Sequence, residues 1–141
     1  MRYSTRTRYG LRFLINLGRR EAGKYAKLPE IAQEEDISVK YLEQIVRALR
    51  PSGILHTTRG VKGGYALAKT PEDISLHTIF AYLEGTTTPI PCLQECDPCP
   101  RQDRCSSRNI WESLDAHLQT FLRQVTLAQL LDCEQGDVLG L

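Results

Sequence analysis

Apolar residues in the first part of the chain recur at the spacing of α-helices. This period predicts a first helix that begins near Ser4 or Thr5. A second helix is predicted to begin near Pro29, a residue favoured in the first turn, and to end near Asp36. The inward face of the first helix is expected to comprise Leu11, Leu14, Ile15 and Gly18.

A third amphipathic helix and a β-hairpin are predicted next. Ser38 is a favourable N-cap, and Pro51-Ser52-Gly53 ends the helix. Its core-facing positions are expected to be Leu42, Ile45, Val46 and Leu49. Strands are then predicted at 54–58 and 65–68, separated by a glycine-rich turn. A short helix follows at 75–84.

The second half of the chain has a different pattern. Residues 86–106 are rich in Pro and Cys and show no periodicity, so we expect a loop. A long helix capped by Ser106 or Ser107 is predicted to run to about Leu131. Its apolar positions step by 3, 4, 3 and 4 residues, as in a heptad seam, at Trp111, Leu114, Leu118, Phe121 and Val125. This seam favours pairing with a second copy of the helix, and packing onto its own domain is the alternative.

Composition limits the class of protein. The chain has 141 residues, of which 41% are hydrophobic, enough for one small globular domain or a small domain with an appended arm. No apolar run reaches the roughly eighteen residues that a membrane span requires. The N-terminus also lacks the apolar stretch of a secretion signal. We therefore expect a cytoplasmic protein that does not enter a membrane.

Charge is distributed unevenly along the chain. Residues 1–70 contain 14 Lys and Arg against 6 Asp and Glu, a net charge of +8. Residues 71–141 contain 4 against 11, a net charge of −7. The asymmetry favours a polyanionic partner for the first half only, with a chance distribution of solvated charges as the alternative.

Three short helices followed by a glycine-tipped hairpin are the element order of a winged helix-turn-helix domain. We assign this domain to residues 1–85, within a mainly α protein that has one small β-hairpin. An α-helix fits the major groove, so the polar face of the third helix and the hairpin tip are expected to contact double-stranded DNA. A solvated helix face with an ordinary turn is the alternative. The candidate DNA-binding residues are Arg2, Ser38, Lys40, Tyr41, Glu43, Gln44, Arg47, Arg59 and Lys62.

Four of the five cysteines lie within fourteen residues of the predicted loop 86–106. The candidate metal ligands are Cys92, Cys96, Cys99 and Cys105. Thiolates are soft ligands that suit zinc or iron–sulfur clusters, and the spacing alone does not separate these two. Unligated redox thiols are a third possibility. Cys133 stands apart and is expected to be a lone thiol. No nucleophile–base pair or phosphate-cradling loop is evident, so we do not expect an enzyme.

Taken together, these segments resemble the Rrf2 family of bacterial winged-helix transcription regulators, in particular its iron–sulfur branch. The resemblance covers nearly the whole chain and includes a cysteine loop ahead of a Trp-containing helix. The other motifs that carry it are Arg8-Tyr9-Gly10, Ile37-Ser38-x-x-Tyr41-Leu42-Glu43-Gln44, Leu49-Arg50, Gly53-Ile54-Leu55 and Arg59-Gly60-x-x-Gly63-Gly64-Tyr65-x-Leu67.

The resemblance implies a homodimer that binds imperfect palindromes through the third helix and the β-hairpin, which is the wing of the domain. We expect this protein to act as a repressor. Residues 107–141 would then form the dimerisation helix and a tail. The resemblance also implies that the loop holds an iron–sulfur cluster whose state changes the affinity for DNA in response to iron, redox conditions or nitric oxide. A zinc-stabilised regulator that responds to another signal or to a partner protein is the alternative.

The family uses three cysteines as ligands, and Cys92, Cys99 and Cys105 fit those places. Arg108 stands where one branch of the family has a histidine ligand, and arginine cannot take that role. We therefore expect the additional Cys96 to supply the fourth thiolate, with a residue of the other subunit as the alternative. Thiolate ligation suits both two-iron and four-iron clusters.

Overall fold

The structure, a computed structural model, describes residues 3–94 and 99–133. Arg2 and Cys96, two of the predicted site residues, lie outside these ranges, as do residues 134–141. The described chain is mainly helical with one antiparallel hairpin, which confirms the predicted fold class. Its elements are α1 (Thr5–Gly18), α2 (Leu28–Glu35), α3 (Val39–Leu49), β1 (Leu55–Thr58), β2 (Gly64–Leu67), α4 (Leu76–Glu84), α5 (Arg108–Gln124) and α6 (Leu127–Cys133).

Serine caps fix the start of three helices. Ser4, Ser38 and Ser75 precede α1, α3 and α4, and each side chain accepts a hydrogen bond from a backbone N–H of the first turn. Helix α2 has Pro29 in its first turn and ends at Glu35, and the capping residue Asp36 adopts the left-handed conformation. The predicted starts of these four helices are therefore confirmed.

Helix α1 lies at the centre of the fold. Phe13, Leu14 and Leu17 are buried, whereas Leu11 and Ile15 of the predicted inward face are only half-buried. The predicted face was therefore partly wrong, because α1 is covered on several sides. Helix α4 contacts it at Gly10, where the side chain of Leu83 occupies the space that a Cβ would need.

The hairpin is anchored to the segment that precedes α2. Its strands pair from Leu55↔Leu67 to Thr58↔Gly64, within one residue of the predicted bounds. Ala26 donates a backbone hydrogen bond to Tyr65 O at 2.9 Å, and Tyr65 donates one to Ala26 O at 2.8 Å. These two bonds fix the wing to the body of the domain.

The predicted long helix is interrupted at Val125, so the prediction of a continuous helix to Leu131 was wrong. Val125 is extended, with φ −84° and ψ 127°. Its carbonyl accepts a hydrogen bond from Leu76 N at 2.9 Å, and Leu127 N donates to Ile74 O at 2.8 Å. The break thus pairs with the chain before α4, and Val125 is fully buried in the core instead of lying in the seam.

Within the described ranges, no helix is both long enough and apolar enough to cross a bilayer.

Candidate nucleic-acid interface and cysteine segment

Helix α3 presents a polar face to solvent and an apolar face to the core. Leu42, Ile45 and Leu49 are fully buried, and Val46 is nearly so. The four predicted DNA-contacting residues on the opposite face are all exposed: Lys40, Glu43, Gln44 and Arg47. The helix can therefore enter a groove with this face without disturbing its packing.

The first turn of α3 holds two further predicted contacts. Ser38 accepts a hydrogen bond from Tyr41 N at 3.2 Å through its Oγ, which leaves the hydroxyl proton available to a phosphate oxygen. Tyr41 is half-buried, and its ring meets the Tyr9 ring edge to face with 5.5 Å between centroids. Packing therefore holds the start of the helix in place.

The wing places two cations at its tip. Arg59 and Lys62 are exposed, and neither forms an ion pair with a residue in the described chain. Gly63 is required here, because a Cβ at this position would collide with the carbonyl oxygen of Thr58. From position 44 to position 71 the sequence contains no acidic residue and five basic ones: Arg47, Arg50, Arg59, Lys62 and Lys69.

A depression of about 360 Å³ joins α3 to the base of the wing. It is lined by Glu43, Val46, Arg47, Arg50 and Tyr65. Arg50 and Tyr65 were missed as candidates by the sequence analysis. The signal for Arg50 was present, since it follows Arg47 by three residues and lies on the same side of a helix. The depression connects the helix and the wing into one surface with the charge expected of a polyanion-binding site.

Three arginines of α1 and of the turn after it, Arg6, Arg12 and Arg20, are bonded within the domain. The Arg6 side chain donates to Leu83 O at 2.7 Å. The Arg12 guanidinium donates to both the carboxylate and the backbone carbonyl of Glu35. Arg20 bridges two further carboxylates of α2, at 2.7 and 2.6 Å. These three cations therefore serve the packing of α1 against α2 and α4, whereas the exposed cations of α3 and the wing remain available to a polyanion.

The cysteine segment connects α4 to α5. Cys92, Cys99 and Cys105 are half-buried, and none of the four described cysteines forms a disulfide. Cys92 lies in a short 3-10 turn, Pro91–Leu93, and Cys105 lies just before α5. In the described part of the chain, no three side chains of metal-binding type converge on one point. Cys96, the predicted fourth ligand, is outside that part.

The chemistry of Cys105 suits a soft metal. Its Sγ lies 3.3 Å from Ser107 Oγ. Hydrogen bonds from the Ser107 side chain and from the backbone N–H groups of Ser107 and Arg108, with the nearby charge of Arg101, lower the pKa of this thiol, although desolvation opposes them. Thiolate is the form that binds metals. Ser107 makes no capping hydrogen bond to α5, contrary to its predicted role.

Two contacts anchor the start of this segment. Thr87 Oγ1 donates to Gln119 Oε1 at 3.0 Å, and Gln119 Nε2 donates to Thr87 O at 3.0 Å. At the end of α4, Glu84 accepts hydrogen bonds from the backbone N–H and the hydroxyl of Ser4. The chain between α4 and the cysteines is thereby bonded to α5, and the end of α4 just before it is bonded to the N-cap of α1. No local pattern indicates these pairs, because they join positions that are far apart in the chain.

Helix α5 leaves most of its apolar stripe uncovered. Trp111, Leu114 and Phe121 of the predicted seam are 40%, 43% and 37% exposed, and the adjacent Ile110 is 62% exposed. Leu118 is half-buried, and Leu122 turns into the core of its own domain. A contiguous apolar stripe in contact with water is typical of an interaction surface.

Comparisons with known proteins agree with this arrangement. The sequence profile of the Rrf2 family, described as iron-dependent transcriptional regulators, matches residues 3–133. Protein rrf2 of Nitratidesulfovibrio vulgaris is 37% identical over 131 residues, which are 93% of this chain and 87% of that protein. The structure of CymR, the global cysteine regulator of Bacillus subtilis, superposes with a TM-score of 0.76 at 32% identity, covering 94% of this chain and 97% of that one. The structure of T. potens IscR superposes with a TM-score of 0.75 at 27% identity, covering 99% and 94%.

Proposed function

The chain belongs to the Rrf2 family of DNA-binding winged-helix transcriptional regulators, and we propose that it is a homodimeric repressor controlled by an iron–sulfur cluster. In this proposal it acts in the cytoplasm on imperfect palindromes in double-stranded DNA. The cluster is held by the cysteine segment, and its state sets the affinity for DNA in response to iron, redox conditions or nitric oxide.

The DNA-binding part of the proposal is supported by the surface formed by α3 and the wing. Lys40, Gln44 and Arg47 are exposed on one face of α3, and Arg59 and Lys62 are exposed at the wing tip. Side chains of a helix in the major groove read base edges, and the cations hold phosphates. Glu43 shares this face of α3, and its carboxylate repels phosphate. In this proposal it therefore accepts a hydrogen bond from a base amine such as that of cytosine.

The homodimer is supported by the exposed apolar stripe of α5. Covering Trp111, Leu114 and Phe121 with the same stripe of a second copy removes this surface from water. A two-fold symmetric pair also explains a palindromic site, because its two recognition helices meet half-sites roughly 34 Å apart on one face of the DNA.

The observation that carries the regulatory part is the position of the cysteines between the DNA-binding domain and α5. Cys92 follows the Thr87–Gln119 contact by five residues, and the carbonyl of Cys105 accepts a hydrogen bond from Arg108 N, the first residue of α5, at 3.2 Å. Ligation of the four clustered cysteines to one group would therefore restrain the end of α4 relative to the start of α5. A bound cluster supplies a group that iron supply and oxidants alter.

Anaerobic purification followed by metal and sulfide analysis tests this assignment. We expect a coloured protein that contains iron and acid-labile sulfide in similar amounts. A colourless protein that contains zinc without acid-labile sulfide would contradict the cluster and would favour a zinc-stabilised regulator. Binding to DNA would survive that outcome, since it depends on α3 and the wing.

A further inference from the structure

The tip of the wing carries an apolar side chain that nothing in the described chain covers. Val61 is 88% exposed, more than any other large hydrophobic residue of the described ranges. It stands between the exposed cations Arg59 and Lys62. A branched apolar side chain at such a position leaves its surface in water until a partner covers it.

The tip is built to hold this side chain in one place. Gly63 N donates to Gly60 O at 3.0 Å, which closes the turn around Val61. Gly64 has φ +147°, and its backbone packs against that of Ala26, where a Cβ would not fit. The turn is thus fixed to the body of the domain, and Val61 projects from a preorganised support.

The charges beside Val61 indicate what covers it. With no acidic residue between Glu43 and Glu72, the tip is attracted to a polyanion. The exposed cations Arg59 and Lys62 can neutralise phosphates on either side of a groove, and such a contact would bring the side chain between them towards the base pairs. When α3 occupies the major groove, the neighbouring surface available to a narrow hairpin is the minor groove.

We propose that Val61 contacts DNA and places its isopropyl group in the minor groove beside the half-site read by α3. This inference rests on the proposed DNA-binding function. The amino group of guanine projects into the minor groove and obstructs an apolar group there, whereas an A·T pair has no such group. Val61 therefore favours A·T pairs at the position that the wing tip reaches.

The experiment compares three proteins on duplexes that the wild-type protein enriches from a randomised library. Val61→Thr keeps the shape of the side chain but makes it polar, and Lys62→Ala removes a cation from the same turn. We expect Val61→Thr to lower the affinity about ten-fold without changing its salt dependence. Lys62→Ala should reduce the slope of log affinity against log salt concentration by about one. Thermal unfolding of each variant checks that the wing remains folded.

Base substitutions locate the contact. Replacing the A·T pairs under the wing by inosine·cytosine pairs changes the major groove but adds no minor-groove amino group, so wild-type affinity should be retained. Replacement by G·C pairs should weaken wild-type binding, and Val61→Thr should reduce this discrimination. Equal affinities of Val61→Thr and the wild type on every duplex would overturn the inference while leaving DNA binding intact. Failure of the wild type to enrich any duplex would overturn the proposed function itself.

Discussion

The carboxylate of Glu84, the last residue of α4, receives two hydrogen bonds from Ser4, the N-cap of α1. The backbone N–H of Ser4 donates at 2.8 Å, and its hydroxyl donates at 2.9 Å. Burial alone would raise the pKa of Glu84, but hydrogen bonds from Thr7 and Ser4 and the charge of Arg6 outweigh it and hold the pKa below its ordinary value. The contact joins the N-terminus of α1 to the C-terminus of α4, directly before the cysteine segment.

Glu84→Gln should destabilise the protein by about 1 kcal/mol at neutral pH, because it weakens hydrogen bonds to a charged acceptor. The folded pKa is lower than the unfolded value of about 4.3, so the contribution is complete above that value and is lost as the pH falls through the folded pKa. Urea unfolding at neutral and acidic pH measures both effects. Glu72→Gln, at an exposed position, is the control. A difference between Glu84→Gln and wild type that grows on acidification would contradict this assignment.

Gly10→Ala should also destabilise the protein. Alanine favours a helix over glycine by about 1 kcal/mol, but the new Cβ meets the fully buried side chain of Leu83, and overpacking a core costs about 1–3 kcal/mol. We therefore expect a lower midpoint of urea unfolding. Arg8→Ala, at an exposed position of the same helix, should have little effect. An increase in stability for Gly10→Ala would show that α4 yields easily at this contact.

Elements whose signals are local agree with their sequence-based predictions. Helix α3 lies close to its predicted bounds because Ser38 caps it and its apolar positions follow one period. The interruption at Val125 is not predictable in this way, because the apolar period continues through it. Two backbone hydrogen bonds cause it: Leu76 donates to Val125, and Leu127 donates to Ile74. Both bonds join residues that are distant in the sequence.

The candidate sites show the same distinction. Exposure of Lys40, Gln44 and Arg47 follows from the helical period alone. The pairing of Arg12 with Glu35 does not, since it depends on how α1 packs against α2. A sum of charges therefore locates the basic half of the chain but does not show which of its cations are paired within the domain.

Leu114→Asp should convert the proposed dimer into monomers, because it places a charge in the apolar stripe of α5. Light scattering after size-exclusion chromatography measures the mass. Loss of the second recognition helix should lower the affinity for a palindromic duplex by about a hundred-fold. Ser113→Asp introduces the same charge at the neighbouring exposed position and should remain dimeric. A dimer that persists in Leu114→Asp would place the interface elsewhere.

Substitution of single cysteines should identify the ligands of the proposed cluster. We expect Cys92→Ser, Cys96→Ser, Cys99→Ser and Cys105→Ser each to lose iron and acid-labile sulfide, since each removes a thiolate ligand. Cys133→Ser, at the end of α6, should retain both and serves as the control. If Cys96→Ser retained the full cluster while Cys99→Ser lost it, the fourth ligand would be a different residue.

The most direct measurement compares the affinity of one protein preparation for one duplex before and after removal of iron. The protein is purified anaerobically, and a chelator strips half of it, with iron and acid-labile sulfide counted in both samples. We expect the two affinities to differ by about ten-fold or more, the range of ordinary allosteric coupling. Equal affinities of the loaded and stripped protein would contradict control of DNA binding by the cysteine segment.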